Sequence, residues 1–240
     1  ETKHVEESEE ELLKEAERLM KAGKYKKSLD QFLRCWKRHV QEGKDSDEDE
    51  LGTARLMGNM GIAHWRQGEY PKALRFHEKC LDIELKALGT DHPDVGATYN
   101  NMALVYQNQG KYEEALSYYS KDLDIRLKAL GSDHPDVGTT YNNMAVVYYY
   151  QGKYDEALSY YSKALDIRLK ALGNDHPDVA ATYNNMALVY DKQGKYEEAL
   201  SYHSKSLDIK LKALGSDHPS VGDTYNNMAN VYKNQGDKGK

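Results

Sequence analysis

The hexapeptide "TYNNMA" occupies Thr98–Ala103 and returns from Thr140, Thr182 and Thr224, a spacing of 42 residues. Asparagine is a weak helix former because its amide competes for nearby backbone groups. Yet Tyr99, Met102, Ala103 and Tyr106 recur at steps of three and four, the spacing of one apolar helix face. Two consecutive asparagines in such a segment therefore call for a role beyond packing within their own helix pair.

The same period runs through the surrounding residues. Asp91, Asp133, Asp175 and Asp217 each open a "DHP" triplet; "QGKY" begins at Gln109, Gln151 and Gln193, and "QGEY" at Gln67. A fixed period of this size signals an array of stacked units, each contacting mainly its neighbours. Each unit reads as two helices. In "DHPDV" Asp133 is placed to cap the first turn, Asp136 to complete a capping box, and Pro135 sits where its missing N–H costs nothing. Gly152 breaks the first helix in a left-handed conformation. Tyr154, Ala157, Leu158, Tyr161, Leu165 and Leu169 line the buried face of the second, which Gly173 ends. Strand alternation is absent, so the fold class is all-α.

The expected organisation is a single α-solenoid over 1–240. A divergent helix pair at 6–42, with the weaker motif "AGKYKKSLDQF" starting at Ala22, precedes an acidic linker at 43–50. Regular units follow at 51–88, 93–130, 135–172 and 177–214, then an unpaired terminal helix at 219–236. Two expectations concern exceptions. Asp122 stands where other units have Cys80, Ala164 and Ser206, and is expected to tilt toward solvent because burying an unpaired charge is costly. Met228, Ala229 and Tyr232 lack the second helix of their unit. That helix is expected to cap the array or to mark a longer chain, with self-association through this edge as the alternative.

Small residues at Ala103 and Ala115, with aromatics at Tyr99, Tyr106, Tyr112 and Tyr119, resemble the tetratricopeptide repeat. The long period and the wording "ALGSDHPDV…YNNMA…QGKYDEAL" are similar to the subtype found in kinesin light chains. The resemblance covers residues 51–236 strongly and 6–42 weakly. It implies a right-handed superhelical solenoid of antiparallel helix pairs serving as a protein- or peptide-binding scaffold. Fold alone does not name the partner.

At about 100° per residue, Asn101 lies opposite the core residues of its helix and Asn100 on the flank. The second position holds Asn59, Asn101, Asn143, Asn185 and Asn227. Carboxamides offer both a donor and an acceptor, the complement of an extended peptide backbone. In the resembling family, inner-wall asparagines hold ligand main chain in this way. The competing role is bracing of neighbouring helices, which is favoured for Asn100, Asn142, Asn184 and Asn226. Side chains sharing that wall differ between units: Arg55, Trp65 and Arg66; Leu104; Val146 and Tyr149; Leu188, Lys192 and Asn230. Arg beside Trp suits an acidic peptide with aromatic or leucine anchors, and the likeness to kinesin light chains points the same way. About 1 kcal/mol per carboxamide contact leaves the expected affinity near micromolar, about −8 kcal/mol. The alternative function is a structural spacer or sensor segment within a larger assembly.

Composition excludes other classes. The net charge is −6, without the basic face of a nucleic-acid binder, and no apolar run is long enough to span a bilayer. Cys35 and Cys80 read as buried thiols of a reducing, cytoplasmic compartment. His92, His134, His176 and His218 are each a whole unit apart, so they read as turn packing rather than metal ligands. His77 and His203 replace core aromatics. No phosphate loop, nucleophile elbow or zinc motif is present, so the chain reads as non-enzymatic, with no cofactor implied. Ser46, before "DED" in the acidic linker, is a candidate phosphorylation site.

Overall fold

A computed structural model describes residues 8–41 and 50–238, all in helices and short turns. The acidic linker, with Ser46, lies outside the described residues except for Glu50, which opens α3. Among the described residues eleven helices follow in order: α1 (Glu9–Lys21), α2 (Tyr25–Gln41), α3 (Glu50–Arg66), α4 (Tyr70–Leu88), α5 (Pro93–Asn108), α6 (Tyr112–Leu130), α7 (Pro135–Tyr150), α8 (Tyr154–Leu172), α9 (Pro177–Lys192), α10 (Tyr196–Leu214) and α11 (Pro219–Lys238). The chain divides into two compact units, Glu1–Ile125 and Arg126–Lys240.

Within the units, α1 pairs with α2, α3 with α4, α7 with α8 and α9 with α10 as hairpins, and α2, α4, α8 and α10 each also pack on the odd helix that follows. Odd helices of successive hairpins lie side by side, α3 with α5 in the first unit and α7, α9 and α11 in the second. The core of the first unit gathers Leu12, Ala16, Phe32 and Cys35 of the divergent hairpin with Met57, Met60 and Cys80. In the second it gathers Ala145, Ala157, Tyr161, Val179, Met186 and Ile209. A side chain as fully buried as Met102 contributes about 1.5–3 kcal/mol, so these repeated contacts carry most of the stabilisation.

A second repeated cluster is aromatic and cationic. Tyr106 and Tyr118 stack at 5.2 Å, and the Lys121 ammonium stands 4.9 Å over Tyr118 and 5.2 Å over Tyr99. The pattern recurs with Tyr148, Tyr160 and Lys163, and with Tyr190, Tyr202 and Lys205. Each lysine thus rests on one ring of its own even helix and one of the preceding odd helix, Tyr99, Tyr141 or Tyr183, an interaction of about 0.5–1 kcal/mol when exposed.

The helix starts differ from the expected cap. In α5, α7 and α9 the N-cap is histidine: Nδ1 of His92, His134 and His176 accepts the backbone N–H two residues on, at 3.1–3.2 Å. Asp133 is therefore not the cap. It reaches instead to Lys170 at 3.3 Å, as Asp175 reaches to Lys212 at 3.4 Å. The Asp136 carboxylate does not complete a capping box; it meets Arg126 at 3.3 Å. Imidazole succeeds because Pro135 follows it and fixes the opening turn, presenting the Asp136 N–H to the ring. A full capping box occurs at α1, between Ser8 and Glu11. Gly152 and Gly173 do take positive φ, 73° and 82°.

Asp122 is also corrected: it is fully buried rather than turned to solvent. Gly96 makes the room, since a Cβ there would stand 3.0 Å from the Asp122 carboxylate.

Candidate functional site: the faces of the odd helices

Because the apolar stripe of each odd helix turns into its hairpin, the opposite stripe is left to line grooves and cavities. In the first unit a cavity of about 370 Å³ opens between α3, α4 and α5, with Arg55, Asn59, Ile62 and Asn101 on its wall. In the second, a pocket of about 80 Å³ brings together Val146, Tyr149, Tyr150, Asn185 and Leu188. Seven of the residues singled out above thus share two concavities: Arg55, Asn59, Asn101, Val146, Tyr149, Asn185 and Leu188.

The asparagine positions are half-buried in every unit, Asn59, Asn101, Asn143, Asn185 and Asn227 alike. Their surroundings differ. Asn227 Nδ2 donates to Oδ1 of Asn184 at 3.2 Å, tying the second asparagine of α11 to the first of α9. Asn234 donates to Asp191 across the same two helices at 3.0 Å. The second unit therefore uses part of its amide set to join neighbouring odd helices. In the first unit Gly58 takes the place of the first asparagine, so α3 has no such amide to offer Asn101 of α5.

The remaining candidates are dispersed. Arg66 is exposed and lies over Trp65, its guanidinium 4.4 Å from the ring centre. Leu104 is half-buried on α5, and Lys192 and Asn230 are exposed near the ends of α9 and on α11. Tyr225 and Tyr232, 52% and 58% exposed, are the bare aromatics of α11.

Electrostatics at the first-unit cavity are unusual. Glu84 on its floor is buried and accepts from Thr98 Oγ1 at 2.7 Å and from the Cys80 thiol at 3.3 Å. Burial holds its carboxyl above the usual carboxylate range, and Asp94 nearby adds to the effect. The same burial pushes the Cys80 thiol up to about 12, so this sulfur is no nucleophile near neutral pH. Cys35 and Cys80 are both buried, and no disulfide joins them. Among the described residues no group of three or more His, Cys, Asp or Glu is placed to hold a metal. No helix there is long and apolar enough to cross a membrane.

Sequence reasoning passed over His39 and the Glu84 position. His39 is fully buried, bonded through Nδ1 to Glu9 at 3.1 Å and through Nε2 to Thr53 at 3.0 Å, so α2 clamps α1 and α3. It lies in the divergent hairpin, where the 45-residue offset from the next unit, rather than 42, sets it in register with Glu84. The Glu84 signal was available: 42 and 84 residues on, the same place holds Arg126 and Arg168.

With the hairpins and their periodicity in view, the family match is specific. The tetratricopeptide repeat pattern fits residues 52–128, 94–170, 136–212 and 178–240 in overlapping registers. The chain belongs to the tetratricopeptide repeat family. Its tetratricopeptide hairpins align with two solved proteins in particular. One is BtubC (BKLC) from P. vanneervenii, at 21% identity and TM-score 0.75, covering 89% of this chain and 85% of that one. This likeness speaks to the fold. The other is a candidate kinesin light chain from Podosopora anserina with nearly identical TPR-like repeats, at 26% identity and TM-score 0.65, covering 77% and 89%. A variant of that second protein matches at TM-score 0.66. No curated protein matches the chain in sequence. Tetratricopeptide repeats of this kind typically form scaffolds for protein–protein interaction and are generally non-enzymatic.

Proposed function

We propose that the odd-helix faces bind an extended protein segment, with Asn59, Asn101, Asn143 and Asn185 holding its main chain and the variable neighbours reading its side chains. The observation that carries this reading is the composition of the two concavities. Each sets a recurring asparagine beside residues that change from unit to unit, Arg55 and Ile62 in one and Val146, Tyr149 and Leu188 in the other. A constant amide with variable apolar or charged neighbours suits a ligand of constant backbone and selected side chains. Exposed Arg66 on Trp65 favours acidic and aromatic residues in that segment. Affinity near micromolar follows, about −8 kcal/mol, because ordering the ligand offsets much of the contact energy.

A second reading rests on the Asn184–Asn227 bond: here the amides brace successive helices, and the chain acts as a spacer within an assembly. Asn227 belongs more to this role than to ligand binding. Selection of a displayed peptide library against the chain, followed by replacement of Asn101, Asn143 and Asn185 by Ala, separates the two. The groove reading expects selected peptides to lose affinity at least tenfold while the melting temperature holds. Retained affinity with lost stability assigns the amides to bracing.

A further inference from the structure

In the second unit, each even helix sends a cation into the first turn of the following odd helix. Arg126 Nη1 meets the Asp136 carboxylate at 3.3 Å. Arg168 Nη1 donates to Thr182 Oγ1 at 2.7 Å and to the Asp178 carbonyl at 3.1 Å. Lys210 Nζ donates to Thr224 Oγ1 at 2.8 Å and to the Ser220 carbonyl at 3.3 Å. At the last two junctions a threonine hydroxyl and a first-turn carbonyl form a seat for one guanidinium or ammonium group; at the first, the cation meets a first-turn carboxylate.

At the α4–α5 junction the seat is intact but its cation is replaced by a carboxylate. Thr98 and Asp94 correspond to Thr182 and Asp178, whereas the position of Arg168 is Glu84. The Thr98 hydroxyl now donates to Glu84 instead of accepting from an arginine. The close partners of Glu84 among the described residues are the neutral Thr98 hydroxyl and Cys80 thiol, and His92 favours its charge only from farther away. The seat also opens outward: Glu84, Asp94, Thr98, Asn59 and Asn101 all line the cavity of about 370 Å³. Gly58 is on its wall, where later units carry the first asparagine of the doublet.

We propose that this cavity receives one cationic side chain, lysine or arginine, from the segment bound on the odd-helix face. It would take the place that the chain's own Arg168 fills in a later unit. Its charge would be met by Glu84 and Asp94, and its N–H groups by Thr98 Oγ1, the Asp94 carbonyl and the asparagine amides. A buried carboxylate without a cation is costly unless something charged completes it, and a charge-assisted, bidentate contact does so. Arg55 on the same wall repels a second cation, so the preferred segment carries a single basic residue at this point, flanked by acidic or neutral ones. This inference rests on the groove reading for its peptide context, but the seat itself can be probed with a small molecule.

The test is a titration of the isotope-labelled full chain with N-acetyl-argininamide, followed by amide NMR, with the N-acetyl-glutamate amide as the control. Saturable shifts are expected at Glu84, Thr98 and Asn101 with the arginine probe alone. Glu84→Gln, which keeps the shape, should weaken the probe about tenfold, or about 1.4 kcal/mol. Glu84→Arg, which restores the residue type of later units, should abolish binding. Absence of saturable shifts, or unchanged probe affinity in Glu84→Gln, overturns the proposal. Asn143→Ala with Asn185→Ala separates the two claims, since it should leave the probe untouched while weakening a selected peptide. A chain that binds its selected peptide but never the probe sinks the cation seat and leaves the groove reading standing.

Discussion

Asn227 and Asn184 face each other across 3.2 Å, the second amide of α11 donating to the first amide of α9. The bond joins the second asparagine of one doublet to the first asparagine of another, so at this junction the amides link neighbouring odd helices. Urea denaturation of Asn184→Ala, Asn227→Ala and the double variant measures the link. Each single change is expected to cost about 1 kcal/mol. The double variant should cost less than the sum, because both singles break the same bond. Strict additivity would show that the bond contributes nothing.

The histidine caps give a second prediction. His134→Ala leaves the Asp136 N–H without its acceptor and should destabilise the chain by about 1 kcal/mol. His134→Asn, whose side-chain oxygen reaches the same N–H, should recover most of that loss. Equal melting temperatures for His134→Ala and the parent chain would remove the ring from the capping role.

Acid should act through two buried rings. Burial lowers His77 and His203 to about 4, from an ordinary value near 6.5, so the unfolded chain takes up a proton before the folded one does. Their contribution is therefore whole above about pH 6.5 and is lost progressively as pH falls toward 4. For His77 the loss between about pH 7 and about pH 4.5 is about 2 kcal/mol. Melting curves of the parent and His77→Phe should converge or cross as the solution is acidified. Parallel curves over that range would contradict the assignment.

Gly61 makes a prediction opposite in sign to helix propensity. Its equivalents are Ala103, Ala145 and Ala187, and alanine in a helix interior is ordinarily better than glycine by about 1 kcal/mol. Here a Cβ would fall 2.6 Å from Cε1 of the buried His77 ring. Gly61→Ala should therefore destabilise by about 1–3 kcal/mol. A higher melting temperature for this variant would refute the packing argument.

Helix pairs, their breaks and their cores are legible in the sequence because each rests on periodic residues repeated in register. Tyr99, Met102 and Ala103 mark one face, and Gly152 and Gly173 mark the ends. What stays hidden depends on contacts that the repeated residue types do not mark. Asp122 reads as too costly to bury because the void over Gly96 is not visible as a pattern. Asp133 reads as a cap because aspartate usually outcompetes histidine there, whereas the proline after His134 sets the turn for the ring. The groove-face residues follow from angle on the helix wheel, yet the Asn184–Asn227 bond needs the offset between adjacent hairpins, which no single helix encodes.

The central claim is that the odd-helix amides hold a ligand backbone. Its most direct test is the NMR response of the asparagine side-chain amides when the chain is saturated with a selected peptide. The Nδ2 signals of Asn59, Asn101, Asn143 and Asn185 are expected to shift and to become protected from solvent exchange. Shifts confined to the even-helix side, around Lys121, Lys163 and Lys205, with those asparagine signals unmoved, would contradict it.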